Sequence, residues 1–301
     1  MKQLSILFLA VITALGTSLS AASPDNAFRQ YWYAGKAELT RYALEQARYG
    51  EIHKGDAVLV FVTEPFLIDK QVKYEFGDNS KAVSVLKLNL VKKFFTGIYP
   101  YSVMTSVFSP VDYLRYRTLK VTTSSQEWCG HTFAQLNFVN NKYQTRVHSY
   151  FQDEEEQNMN LPAGWLEDEI WTRIRLAPKT LPEGQLEMIP STQFSRLWHA
   201  RLQSQKVTAQ LGTINDEKLS KKSLSVYRLE YKELPRKLTI IFEKEFPHTI
   251  VAWEENHPGG FGSSPWMTTK AIRTNSLILD YWNKHGNKDA FYRDKLGLSM
   301  K

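Results

Sequence analysis

Hydrophobic and polar positions alternate with a period of two along most of this chain, the pattern of strands that are dry on one face and wet on the other. The alternation is plainest at residues 85–90, where Leu86, Leu88 and Leu90 point one way and Lys87 and Asn89 the other. Residues 37–49 form a long candidate strand, 50–55 read as a turn, and 57–63 is a run rich in Val, Leu and Phe suited to a buried strand. The pattern continues at 101–108 and 114–124. The clearest hairpin joins 131–139 to 142–151, because the Asn140-Asn141 connection tolerates the positive φ of a primed two-residue turn. Further strands are predicted at 185–189, 194–203, 206–211, 224–231, 237–243, 249–254 and 267–274.

At 163–176 the period becomes helical, with Leu166, Ile170 and Ile174 on one stripe. Glu167, Asp168 and Glu169 near its amino end complement the helix dipole, and Pro162 and Pro178 punctuate the two boundaries. A second helical segment is predicted at 277–284. Consecutive strands with so little helix predict a mainly β fold: an antiparallel meander forming an open barrel or curved packed sheets, with one or two short helices. The helix at 163–176 is expected to plug or cover one end. It also marks an internal boundary, between an amino-terminal half at 23–160 and a carboxy-terminal half at 161–301, with one sheet through both as the alternative.

The amino terminus departs from this pattern. Lys2 precedes an apolar run from Leu4 to Leu15, broken only by Ser5 and Thr13, and Ser20-Ala21-Ala22 places small side chains at a cleavage site. This is the layout of a removable secretory signal spanning residues 1–22, cleaved near Ala22, with a destination in the periplasm or outside the cell. The run is shorter than the roughly 20 residues that cross a bilayer, and no later stretch is long enough to span as a helix, so an integral helical membrane protein is not expected. No cysteine stands at the cleavage point to take a lipid. The net charge of +7 is scattered rather than clustered, which, with export, argues against a nucleic-acid partner. Cys129 is the single cysteine, so no internal disulfide forms and packing alone holds the fold.

Candidate chemistry centres on Glu127-Trp128-Cys129-Gly130-His131. In an extended strand Glu127, Cys129 and His131 share one face, the composition of an activated thiol. Neighbours two apart on a strand sit about 7 Å apart, too far for a linear S–H···N contact unless Gly130 forms a bulge. Free cysteines are mostly buried and inert, which is the stronger expectation for Cys129. His53, His148, His199, His248, His257 and His285 show no metal-binding spacing, and nothing in the sequence requires a metal or cofactor. The carboxylates Glu243, Glu245, Glu254 and Glu255 read as solvated strand ends, and the run Asp153 to Glu156 as a wet loop. The glycine-rich stretch from His257 to Ser264 reads as a hairpin connection. Aromatic residues make up 13% of the chain. Tyr31, Trp32, Tyr33 and Trp128 are the candidate binding residues, able to grip sugars or lipid chains if exposed and to pack the core if buried.

Several strings together resemble a known family. They are Tyr31-Trp32-Tyr33-Ala34-Gly35-Lys36-Ala37-Glu38, the stretch from Leu44 to Gly55, Gly97-Ile98-Tyr99-Pro100-Tyr101-Ser102, Glu127 to His131, His148-Ser149-Tyr150-Phe151, Tyr281-Trp282 and Asn287-Lys288-Asp289. The resemblance is to an exported bacterial family of unknown function whose members often carry the name septum formation inhibitor Maf. Maf nucleotide pyrophosphatases have an α/β fold and an S-x-S-P-R-R motif that this sequence lacks. The resemblance therefore implies export and a shared fold, and no catalytic residue. The expected role is an envelope protein that binds an amphipathic ligand, a lipid or an envelope protein without catalysis. The alternatives are a Cys-His hydrolase or transferase using Cys129 and His131, and an outer-membrane β-barrel.

Overall fold

The computed structural model describes residues 26–260 and 264–298, so the expected signal and its cleavage site lie outside the described residues. The strands are β1 (Ala37–Arg48), β2 (Glu51–Leu67), β3 (Val72–Lys73), β4 (Ala82–Thr96), β5 (Tyr99–Pro110), β6 (Lys120–Glu127), β7 (Gly130–Val139), β8 (Lys142–Ser149), β9 (Gln157–Pro162), β10 (Trp165–Leu166), β11 (Gly184–Ile189), β12 (Gln205–Ile214), β13 (Leu224–Tyr231), β14 (Lys237–Glu243), β15 (Ile250–Pro258) and β16 (Trp266–Leu279). Four short helices join them: α1 (Asn26–Trp32), α2 (Glu167–Leu176), α3 (Thr192–Trp198) and α4 (Phe291–Lys295).

All the strands belong to one strongly curved sheet. Its order runs from β10 through β11–β16 to β1, β2 and β4–β9, with β3 added beside β2. Every pair is antiparallel except β10 with β11. The two halves of the chain are joined where β1 pairs with β16, Ala37 opposite Leu279. The sheet is open between β9 and β10, although only Ala163 and Gly164 separate them in sequence.

The alternation read from sequence sets the inner face. Leu59, Phe61, Leu88, Val107, Ile240 and Trp253 all point inward and are buried, each such side chain contributing about 1.5–3 kcal/mol. Outward positions around the same sheet carry Glu45, Lys93, Gln126, Gln144, Arg228 and Lys270, all exposed. A barrel in lipid has the reverse arrangement, an apolar outer band and a closed ring of strands. The open edge and charged exterior therefore overturn the outer-membrane barrel alternative.

Several elements differ from the sequence-based expectations. The turn expected at 50–55 is confined to Tyr49 and Gly50, whose φ values of 54° and 79° make the tight reversal, and β2 begins at Glu51. The strand expected at 114–124 starts only at Lys120. The strand expected at 194–203 is α3 and its following loop: Ser191 caps the helix by accepting the Gln193 N–H, and Phe194 and Leu197, three apart, bury one side. His199, at φ 52°, ends it. At 277–284 β16 continues to Leu279 and only a 3-10 turn follows, Tyr281–Asn283. Neither α1 nor α4 was expected. α2 starts at Glu167 because Trp165 and Leu166 pair with β11 first. It lies inside the curve against β4 and β5, with eight of its ten residues buried.

Candidate functional site

Enclosing α2 brings its charges into the interior, and partners from distant strands meet them. Arg175 donates to both oxygens of Glu38 on β1, at 2.7 and 2.6 Å, and its Nε donates to the Pro247 carbonyl at 2.8 Å. The Tyr31 hydroxyl donates to the same carboxylate. Near the other end of α2, Arg236 donates to Glu167 at 2.5 and 3.0 Å and to Glu255 at 3.1 Å. Lys92 and Trp253 also donate to Glu255, and Tyr231 donates to Glu167. Buried pairs of this kind add little net stability, because desolvation offsets their attraction, but each fixes the geometry of what it joins. Burial works to raise the Glu255 pKa, yet Lys92 and Arg236 outweigh it and hold the carboxyl well below its usual range. Asp168 has no such cation. Burial lifts its pKa to about 6, against the opposing pull of the Thr192 N–H and hydroxyl that it accepts.

The Arg175 pair positions a groove at one mouth of the sheet. Its N–H groups tie α2 to β1 and the β14–β15 turn, and the Tyr31 hydroxyl joins α1 to the same Glu38 carboxylate. Leu176, next along α2, and Phe246 and His248, on either side of Pro247, line a groove of about 800 Å³. Phe28 and Tyr33 add a wall at the α1 end, with Ile68, Val83, Val111 and Leu114 opposite. Ring contacts stiffen the wall: Phe28 lies 6.4 Å from Phe246, and Tyr31 lies 5.6 Å from it edge-on. Lys81 and Arg115 stand at the rim with Asp112; Lys81 reaches Asp69 at 3.3 Å, and Arg115 lies 5.1 Å from the Tyr116 ring. Burial holds His248 below the usual imidazole range. A mostly apolar hollow with a few polar groups, at the mouth of a curved sheet, has the anatomy of a small-molecule site.

The residues singled out from sequence fall in different places. Glu127 and Gly130 are opposite each other across a two-residue hairpin, so the string is a turn and not the extended strand expected. Glu127 points inward to Arg196 at 3.0 Å and accepts the Cys129 backbone N–H at 2.9 Å. Cys129 is exposed rather than buried, and its hydrogen bond to the Glu127 carboxylate pushes the thiol pKa up. His131 faces solvent on the outer face, and among the described residues no hydrogen bond joins it to the thiol. Trp128 is exposed and stacks at 6.2 Å on Tyr99. Of the amino-terminal aromatics, Trp32 is core, Tyr31 binds Glu38, and Tyr33 reaches the groove. Glu255, expected as a solvated strand end, is buried, whereas Glu254 is a surface partner of Lys270. The acidic run is not uniformly wet: Glu154 is half-buried and binds His199 and Ser149.

Sequence reasoning missed the roles of Glu38, Arg175 and Arg236 and, apart from Tyr33, the groove residues. Glu38 and Arg175 lie 137 positions apart, and no local spacing relates them. No family model matches the sequence, and no curated protein matches it. Among solved structures the chain is similar to a β-barrel-like protein of domain of unknown function DUF1849 from Brucella abortus. The identity is 9%, the match covers 81% of this chain and 98% of that one, and the TM-score is 0.48.

Proposed function

We propose that this is an exported, non-enzymatic binding protein of the bacterial envelope whose mouth groove shelters the apolar part of an amphipathic ligand. The groove itself carries the reading: about 800 Å³ walled by Phe28, Tyr33, Leu176 and Phe246, with Lys81 and Arg115 at the rim. Apolar walls remove chain carbons from water, about 0.8 kcal/mol for each buried methylene, and the rim cations suit a polar head of negative charge. Export rests on Lys2, the apolar run from Leu4 to Leu15 and the small residues at Ser20-Ala21-Ala22. The raised thiol pKa of Cys129 and the outward His131 speak for binding over Cys-His catalysis.

The test is native mass spectrometry of residues 23–301 purified from the periplasm without detergent, followed by competition with a fluorescent C16 fatty acid. The reading expects one equivalent of added mass in the lipid range, and loss of probe binding in Leu114→Glu with unchanged circular dichroism. Accumulation of the uncleaved chain in the cytoplasm, or a bare polypeptide that also ignores the probe, overturns it.

A further inference from the structure

The seam of the sheet, between β9 and β10, has features that the mouth groove does not use. β9 runs from Gln157 to Pro162, Ala163 and Gly164 reverse the chain, and β10 then holds beside Met188 and Ile189 of β11 for two residues. At Glu167 the chain leaves the sheet and becomes α2. Among the described residues, no strand follows the track that a longer β10 would take beside the start of β9. Among the described residues, the only strand paired with β9 is β8, and no other backbone hydrogen bond reaches residues 157–161. An edge of this kind is a template for an added strand.

Where that track leads, a cleft of about 60 Å³ opens between the start of β9 and the end of α3, lined by Gln157, Thr132, Ser195, Arg196, Arg201 and Leu202 among others. Arg196 and Ser195 are each 6% exposed. One Arg196 nitrogen donates to Glu127 at 3.0 Å, and the guanidinium lies 4.5 Å from the Phe151 ring. Its Nε and Nη1, and the Ser195 hydroxyl, are buried with no hydrogen-bond partner. Unsatisfied buried donors cost about 1–3 kcal/mol each, so three in one cleft mark a place where an acceptor from outside belongs. Glu154 at the rim is held by His199 and Ser149, and Arg201 adds a second cation to the lining beside Arg196.

We propose that the seam receives the carboxy-terminal segment of a partner polypeptide as an added strand antiparallel to β9, with its terminal carboxylate on Arg196 and Ser195. Direction follows from topology. A segment antiparallel to β9 enters beside Pro162, keeps the sense of β10, and ends beside Gln157, which lines the cleft. It spans roughly four residues, at about 3.4 Å per residue. Main-chain hydrogen bonds to β9 supply affinity, and the cleft supplies selectivity for a chain end.

The test uses the mature full-length chain and a synthetic peptide, Thr-Val-Thr-Val-Thr-Val, in three forms: free acid, carboxy-terminal amide, and alternately N-methylated acid. Hydrogen exchange reports on the backbone amides of 157–161, and fluorescence anisotropy of an amino-terminal label gives affinity. The free acid is expected to slow exchange there and to bind about ten-fold more tightly than the amide, the worth of one charge-assisted contact. The N-methylated acid is expected not to bind, and Arg196→Lys, which keeps a cation for Glu127, to shrink the acid-to-amide ratio. The proposal is overturned by unchanged exchange at 157–161, by equal binding of the N-methylated acid, or by protection that grows with protein concentration alone, which assigns the edge to a second copy. Because the first two comparisons alter only the peptide, they hold even if the Arg196 variant misfolds.

Discussion

Replacing Glu38 with Leu leaves Arg175 buried without its carboxylate, and the structure sets the size of the effect. The guanidinium is fully buried and Glu38 nearly so, at 0% and 4% side-chain exposure, so water cannot substitute for the lost partner. Removing one member of such a pair costs about 3–5 kcal/mol. The lower end applies here, because Arg175 keeps the Pro247 carbonyl and the face of the Phe61 ring at 4.6 Å. With a urea slope of about 3 kcal/mol per molar, a 3 kcal/mol loss moves the unfolding midpoint down by about 1 M. The double variant Glu38→Leu with Arg175→Met removes both charges, and is expected to regain most of the loss, since apolar replacement of a buried pair is commonly neutral or better. Urea unfolding followed by tryptophan fluorescence on the wild type, both single variants and the double variant gives the coupling energy directly. A Glu38→Leu variant within about 0.5 kcal/mol of wild type, the scale of an ordinary surface substitution, refutes the reasoning, as does a double variant less stable than either single one.

Other expectations follow from individual contacts. Asp168 has a folded pKa of about 6, raised from 3.8 by burial, so its effect on stability is unfavourable above pH 6 and relaxes as pH falls toward 4. Asp168→Asn is therefore expected to gain up to about 3 kcal/mol at pH 8 and little at pH 4; a variant less stable than wild type at pH 8 in urea titrations counts against this. Glu38 and Glu255 act with the opposite sign: their pKa values are depressed, so stability present above about pH 4.5 is lost as pH falls through the folded values, and acid unfolding below about pH 4 is the expected readout. Gly55→Ala places a methyl group 2.3 Å from the Lys93 carbonyl oxygen, and should cost about 1–3 kcal/mol in thermal melts. Cys129 should label completely with iodoacetamide in the folded protein, with a rate midpoint above the roughly pH 8.5 of a free thiol; incomplete labelling contradicts its exposure.

Most strands with one wet face were legible, although β9, at Gln157–Pro162, was not. The bounds of β13 and β14 coincide with the predicted 224–231 and 237–243, and the Asn140-Asn141 hairpin has both residues at positive φ, 50° and 58°. α3 was misread because Phe194 and Leu197 sit in a short segment where three-residue and two-residue periods are hard to separate. The site was hidden for a different reason. Glu167, Asp168 and Glu169 look like an exposed first helical turn, since acidic residues are usually solvated. Their burial depends on a sheet that wraps the helix from both sides and on Arg236, 69 residues beyond Glu167. Groove residues come from six separate stretches of chain, and only curvature brings them together.

The pairing of β1 with β16 has a consequence for how the molecule is assembled. Every other antiparallel neighbour on the main path is reached within a few dozen residues, but β1 acquires its second neighbour only when Ala37 meets Leu279. The meander can grow strand by strand in two arms, and the arms lock only after the last long strand has emerged. This one long-range closure carries the largest loop entropy of any pairing in the fold. A permuted chain that joined the ends and began at Gly164 would meet its strands in the order of the sheet, replacing that closure with a local step and shortening the search.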